Sequence, residues 1–159
     1  MSLFNRRALL CLPMVLVACG FQPVYAPGGA GQALQNKVLV DEPDAVDGYL
    51  LTRRLEQRLG RSETPVYRLA LVVATGQENL AVDQKGDILR FNLLGAADYT
   101  LIESATGRIV TSGSVDNFTG YSATGTTVAT LAAERDARQR LMVLLGDQIV
   151  ARLFTADLT

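Results

Sequence analysis

The chain has two cysteines, Cys11 and Cys19, and no histidine in 159 residues. That pair of counts narrows its chemistry at once. Zinc sites and neutral-pH proton shuttles lean on histidine and cysteine, so no metal site is expected. Without histidine the usual serine or cysteine triads cannot be assembled, and no nucleophile, base and orienting group stand together in the sequence. An enzyme is therefore not expected, and a cofactor is not required. The one residue placed for a covalent event is Cys19, which follows small and aliphatic residues at the end of an apolar run.

Residues 1–18 carry Arg6 and Arg7 near the start, an apolar stretch from Ala8 to Val17, and Ala18 before the cysteine. This is the layout of an export signal. The run is about ten residues, whereas a helix needs roughly twenty to span a bilayer. Leu16, Val17, Ala18 and Cys19 resemble the lipobox of bacterial lipoproteins, with cleavage between Ala18 and Cys19 and diacylglycerol on the cysteine sulfur; an ordinary secretory leader cut further on would leave a free thiol. Export runs through the general secretory route or, as the paired arginines suggest, the twin-arginine route. The several acyl chains of such lipoproteins, palmitate among them, form a durable membrane anchor, since each buried CH₂ contributes about 0.8 kcal/mol. Removing Cys11 with the signal leaves no internal disulfide. Losing Arg6 and Arg7 takes the formal charge from -1 to -3. Nucleic acid is set aside as a partner, because its binders carry a basic face.

The elements that follow are legible from period and punctuation. Residues 19–36 read as a lipidated N-terminus and flexible tether, and 37–159 as a single domain. Lys37 to Asp41 is a short strand. Leu51, Leu55 and Leu59 recur at four-residue steps on a helix from Val46 to Leu59, closed by Gly60, and Arg53, Arg54, Glu56, Gln57 and Arg58 make its solvated side. Tyr67, Leu69, Leu71 and Val73 alternate along a strand ending near Thr75. After a turn at Lys85, Gly86 and Asp87, a second strand keeps Leu89, Phe91, Leu93, Tyr99 and Leu101 on one parity. Ile109 to Phe118 is a third, its alternation blurred by Gly113 and by a bulge. Tyr121 to Thr126 reads as a loop whose Thr126 or Thr127 caps a helix from Thr127 to Phe154. On that helix Leu131, Leu141, Met142, Leu144, Leu145, Ile149 and Leu153 form the core stripe, and Glu134, Arg135, Asp136, Arg138 and Arg140 the opposite side. The order β-α-β-β-β-α predicts an α+β fold: a mostly antiparallel sheet of about four strands with two helices on one face.

The run Cys19, Gly20, Phe21, Gln22, Pro23, Val24, Tyr25 resembles the start of mature lipopolysaccharide-assembly lipoproteins of the LptE family, of the alphaproteobacterial type. The stretch Ala129 to Leu153 resembles that family's last helix. The resemblance implies a non-enzymatic lipoprotein of the outer membrane, lipid-anchored on its periplasmic side. It would plug the LptD β-barrel, help it assemble, and assist delivery of lipopolysaccharide to the cell surface. Gly20, rather than aspartate, after the lipid cysteine is common in lipoproteins sorted to the outer membrane. Lipopolysaccharide offers phosphates and acyl chains, so its contacts call for cations beside apolar surface; Lys85 and Arg90, near the first hairpin tip, are the candidates, against their reading as ordinary surface charges. An accessory lipoprotein of an ABC-type phospholipid transport system is the alternative, and a lipid-processing hydrolase a remote third.

Overall fold

Period-two alternation in three successive segments produces three long strands, and the turns between them leave no choice but antiparallel pairing. The computed structural model describes residues 29–41, 45–82 and 88–158. Its elements run α1 (Ala30–Leu34), β1 (Val38–Val40), α2 (Val46–Leu59), β2 (Tyr67–Val82), β3 (Ile88–Glu103), β4 (Ile109–Ser122) and α3 (Thr127–Phe154). The four strands lie in sequence order in one sheet. β2, β3 and β4 pair antiparallel, while β1 lies parallel to β2, Val38 opposite Tyr67. A parallel neighbour needs a crossover, and α2 is that crossover. The sheet is therefore mixed, a feature that alternation within a strand cannot announce.

Both long helices cover the same face, as expected. Leu51, Leu55 and Leu59 of α2 meet Leu141, Met142, Leu145, Ile149, Val150 and Leu153 of α3 over Leu69, Leu93, Ala97, Tyr99, Leu101 and Val115 of the sheet. Each fully buried leucine contributes about 1.5–3 kcal/mol. Thr126 is the cap of α3, its hydroxyl accepting from the Ala129 N–H at 3.3 Å.

Three expectations are corrected. A third helix, α1, lies inside the segment read as tether, and its Leu34 is wholly buried in the core. Five residues with a single leucine give periodicity nothing to detect. The chain then reverses at Asn36, whose N–H donates to the Leu59 carbonyl at 2.7 Å. Gly60 closes α2 with φ +79°, and the Asn36 side chain occupies the space its own Cβ would take, so two demands for glycine coincide there. The strands outrun their apolar runs: β2 continues to Val82, and β4 reaches Ser122 through residues read as loop. The expected bulge is present in the β3–β4 ladder, between Leu101 and Ile102, opposite Thr111 and Ile109. Gly113 sits in regular register across from Tyr99. Finally, Leu131 and Leu144 of the expected core stripe are exposed, and the buried residues of α3 begin at Ala137.

Candidate functional site

Of the residues marked by the sequence, Ala18, Cys19 and Lys85 lie outside the described residues, as do the signal segment and the first part of the tether. Arg90 is described. It stands near the start of β3 between Ala81 of β2 and Ser122 of β4, with its side chain exposed. Strand alternation puts it on the helix-free face of the sheet with Asn92 and Leu94. Its neighbour Phe91 turns the other way and stacks on Tyr121, ring centroids 5.2 Å apart at 19°. Burial raises the Tyr121 phenol pKa; the Glu134 carboxylate adds to the rise and Arg138 opposes it.

The helix-free face is low and partly apolar. Cross-strand rows place Gly76, Leu94 and Phe118 side by side, then Ala74, Ala96 and Asp116, then Val72, Asp98 and Ser114. Phe118 is 61% exposed and Val72 69%. Leu94 is four residues from Arg90, about 13 Å along the strand. The face thus carries a cation at one end, then the row Glu78, Asn92 and Gly120, then the apolar row Gly76, Leu94 and Phe118, with Asp116 and Asp98 beyond. At the Arg90 end α3 overhangs the sheet. Val128 and Leu131 in its first turns are exposed, as is Leu80 of β2. The Thr119 hydroxyl of β4 donates to the Ala137 carbonyl of α3 at 2.9 Å.

What holds this end in place is a charged node that the sequence reading assigned to solvent. Asp47 in the first turn of α2 is nearly buried, with 12% side-chain exposure. Its carboxylate accepts from the Thr75 hydroxyl of β2 at 2.9 Å and from Arg138 Nη1 of α3 at 3.0 and 3.2 Å. Arg138 Nη2 donates in turn to Glu134 at 3.0 Å. One carboxylate thereby links three elements. About two turns further along the interface, Arg54 grips Asp147 through two nitrogens at 2.8–3.1 Å, with Arg58 at 3.4 Å. The run Arg53 to Arg58 is therefore only partly a solvated face. A signal was present: Asp47 heads the four-residue step of Leu51, Leu55 and Leu59, and Arg138 heads that of Met142, Gly146 and Val150. A charge on a buried stripe demands a partner.

On the far flank of α3 a groove of about 500 Å³ runs beside β4, lined by Thr119, Gly120, Arg140, Val143 and Leu144 among others. Arg140 closes it, pairing with Asp136 and donating to the Gly120 carbonyl at 3.3 Å. Among the described residues no cluster of three potential metal ligands occurs, and no helix is long and apolar enough to cross a membrane.

Comparison with known proteins places the fold. A lipoprotein from Caulobacter crescentus superposes with a TM-score of 0.66 at 22% identity, covering 79% of this chain and 93% of its own. A minor lipoprotein from Acinetobacter baumannii gives 0.60 at 15% identity, with 74% and 90% covered. The rare lipoprotein B of Shewanella oneidensis gives 0.57 at 13%, with 75% and 92% covered. No curated protein matches by sequence. The model of the family described as LptE, lipopolysaccharide-assembly, matches residues 30–153, from the first residue of α1 nearly to the last of α3. The chain belongs to the LptE lipopolysaccharide-assembly family.

Proposed function

We propose that this protein is an outer-membrane lipoprotein, anchored through acyl chains on Cys19 on the periplasmic side, that plugs the LptD β-barrel, assists its assembly and aids delivery of lipopolysaccharide to the cell surface. The observation that carries the reading is the family match over the whole described body, residues 30–153. The role is non-catalytic. The shape supports it: the chain enters the domain at Gly29 beside α1, which packs at the end of the sheet where β1 meets Tyr67 to Leu69, and Arg90 lies at the other end. From Arg90 to Ile102 the strand spans about 40 Å. A body of that length, tethered at one end, carries Arg90 and the exposed Leu80, Val128 and Leu131 well away from the lipid.

Depletion of the protein tests the reading. Both the mature, heat-modifiable barrel and surface lipopolysaccharide are expected to fall; persistence of both refutes it, and co-purification with an ABC transporter in place of a barrel transfers the protein to phospholipid transport. Mass spectrometry of the processed chain should find a diacylated Cys19 at its N-terminus. Lys85 and Arg90 form the lipopolysaccharide contact in this reading. Reversing both charges should weaken binding of the purified protein to lipopolysaccharide about tenfold, the loss of one charge-assisted hydrogen bond; unchanged affinity removes them from the site.

A further inference from the structure

The two outer edges of the sheet differ. On β2, the Tyr67 N–H donates to the Lys37 carbonyl and the Leu69 carbonyl accepts from the Asp41 N–H, both at 3.0 Å. Odd-numbered residues of β2 therefore turn their backbone groups outward, and even-numbered ones turn theirs toward β3. β1 covers only Tyr67 to Leu69. Beyond it, the outward N–H and C=O groups of Val73, Thr75, Gln77 and Asn79 have no backbone partner among the described residues. On β4 the outward set is even-numbered, and side chains of the protein occupy two of its groups near the Ser122 end. Asn117 Oδ1 takes the Phe118 N–H at 2.8 Å, and Arg140 takes the Gly120 carbonyl. An unpaired strand edge is a template for another strand unless something blunts it. β4 is blunted at Phe118 and Gly120, whereas nothing among the described residues blunts β2 from Val73 to Asn79. This stretch is also held straight by β3 along its full length, and Ala74 and Gly76 keep the helix-free side low enough for a neighbour to lie flush.

We propose that the β2 edge from Val73 to Asn79 receives an extended strand of a partner protein, which becomes an added strand of the sheet. Charge selects the occupant. Glu78 is exposed on the helix-free side of this edge, and no cation pairs with it among the described residues. The incoming strand carries Lys or Arg at that level. A second copy of β2 cannot supply one, because the strand's single cation, Arg68, lies in the stretch that β1 covers. Strand addition needs only the free ladder and does not rest on the plug reading.

The test titrates the purified lipoprotein in detergent with a capped seven-residue peptide that alternates valine and threonine and ends in lysine, followed by residue-resolved amide exchange. Exchange at Val73, Thr75, Gln77 and Asn79 should slow by roughly tenfold, with the β4 edge unchanged. Gln77→Pro should abolish the protection while leaving the circular dichroism spectrum intact, since the N–H it removes points away from β3. Replacing the peptide's lysine with glutamate should weaken binding, and Glu78→Lys should reverse that preference, a readout that stands even if the proline variant misfolds. Absence of protection, protection on β4 instead, or peptide binding indifferent to both charges overturns the proposal. So does self-association without peptide that Gln77→Pro removes, which assigns the edge to a second copy.

Discussion

Replacing Asp47 with alanine probes the node that joins α2, α3 and β2. The carboxylate accepts three hydrogen bonds, one from Thr75 and two from Arg138. Its loss leaves the Thr75 hydroxyl without that acceptor and Arg138 with Glu134 alone. Breaking a fully buried pair costs about 3–5 kcal/mol. Arg138 is 30% exposed and keeps one carboxylate, so solvent and Glu134 recover part of the loss, and about 2 kcal/mol is the expected cost. With a urea dependence of about 2 kcal/mol per molar for a domain of this size, the midpoint of a circular dichroism melt should fall by about 1 M. Thr75→Ala should cost about 1 kcal/mol, one hydrogen bond. The Asp47→Ala, Arg138→Ala double variant should be more stable than the sum of the single losses by about 1 kcal/mol or more, because the second change removes the cation the first had orphaned. A midpoint shift under about 0.2 M, or strict additivity in the cycle, would refute the claim that the pair is a buried tie rather than a surface contact.

Three other outcomes are expected. Leu141→Ala, at a wholly buried residue, should cost about 3 kcal/mol, whereas Leu144→Ala, in the same expected stripe but 40% exposed, should cost under about 1 kcal/mol; equal losses in denaturant melts would contradict the facing assigned to α3. Gly113→Ala places a Cβ about 2.7 Å from the Tyr99 hydroxyl oxygen, and moving that buried ring should cost about 1–2 kcal/mol and alter the near-ultraviolet spectrum, with Tyr99→Leu relieving the clash. Because burial, and then the Glu134 carboxylate, raise the Tyr121 phenol pKa, the folded chain keeps that proton to higher pH than the unfolded chain. Its contribution is intact below the ordinary phenol value of about 10 and is lost as pH rises through it. Tyr121→Phe should flatten the decline in stability measured between about pH 9 and 11.

How much was readable in advance depends on how local the cause was. The bounds of α2 and α3 match their sequence expectations, since a four-residue leucine step, Gly60 and Thr126 all act within a few residues of the helix they define. The parity of β2 and β3 was legible for the same reason: Leu69, Leu93, Tyr99 and Leu101 face the helices as their alternation requires. Arg90 was singled out by its place near an expected turn, and which face it occupies followed from the register with Ala81 and Ser122.

Other features belong to the tertiary structure alone. Strand direction depends on the path of the chain between strands, so the parallel placement of β1 had no mark in Val38, Leu39 or Val40. Tyr121 looked like loop because its partner Phe91 lies thirty residues away, and the ring stack that keeps β4 extended exists only after pairing. Asp47 and Arg138 are 91 residues apart. Their charges, ordinary on any helix surface, became a buried tie when packing turned two stripes toward each other. The sequence alone determined the long elements and most of their inward faces, because periodicity records local burial. Folding decided the partners and what covers each edge of the sheet, because those depend on which distant groups arrive and which do not.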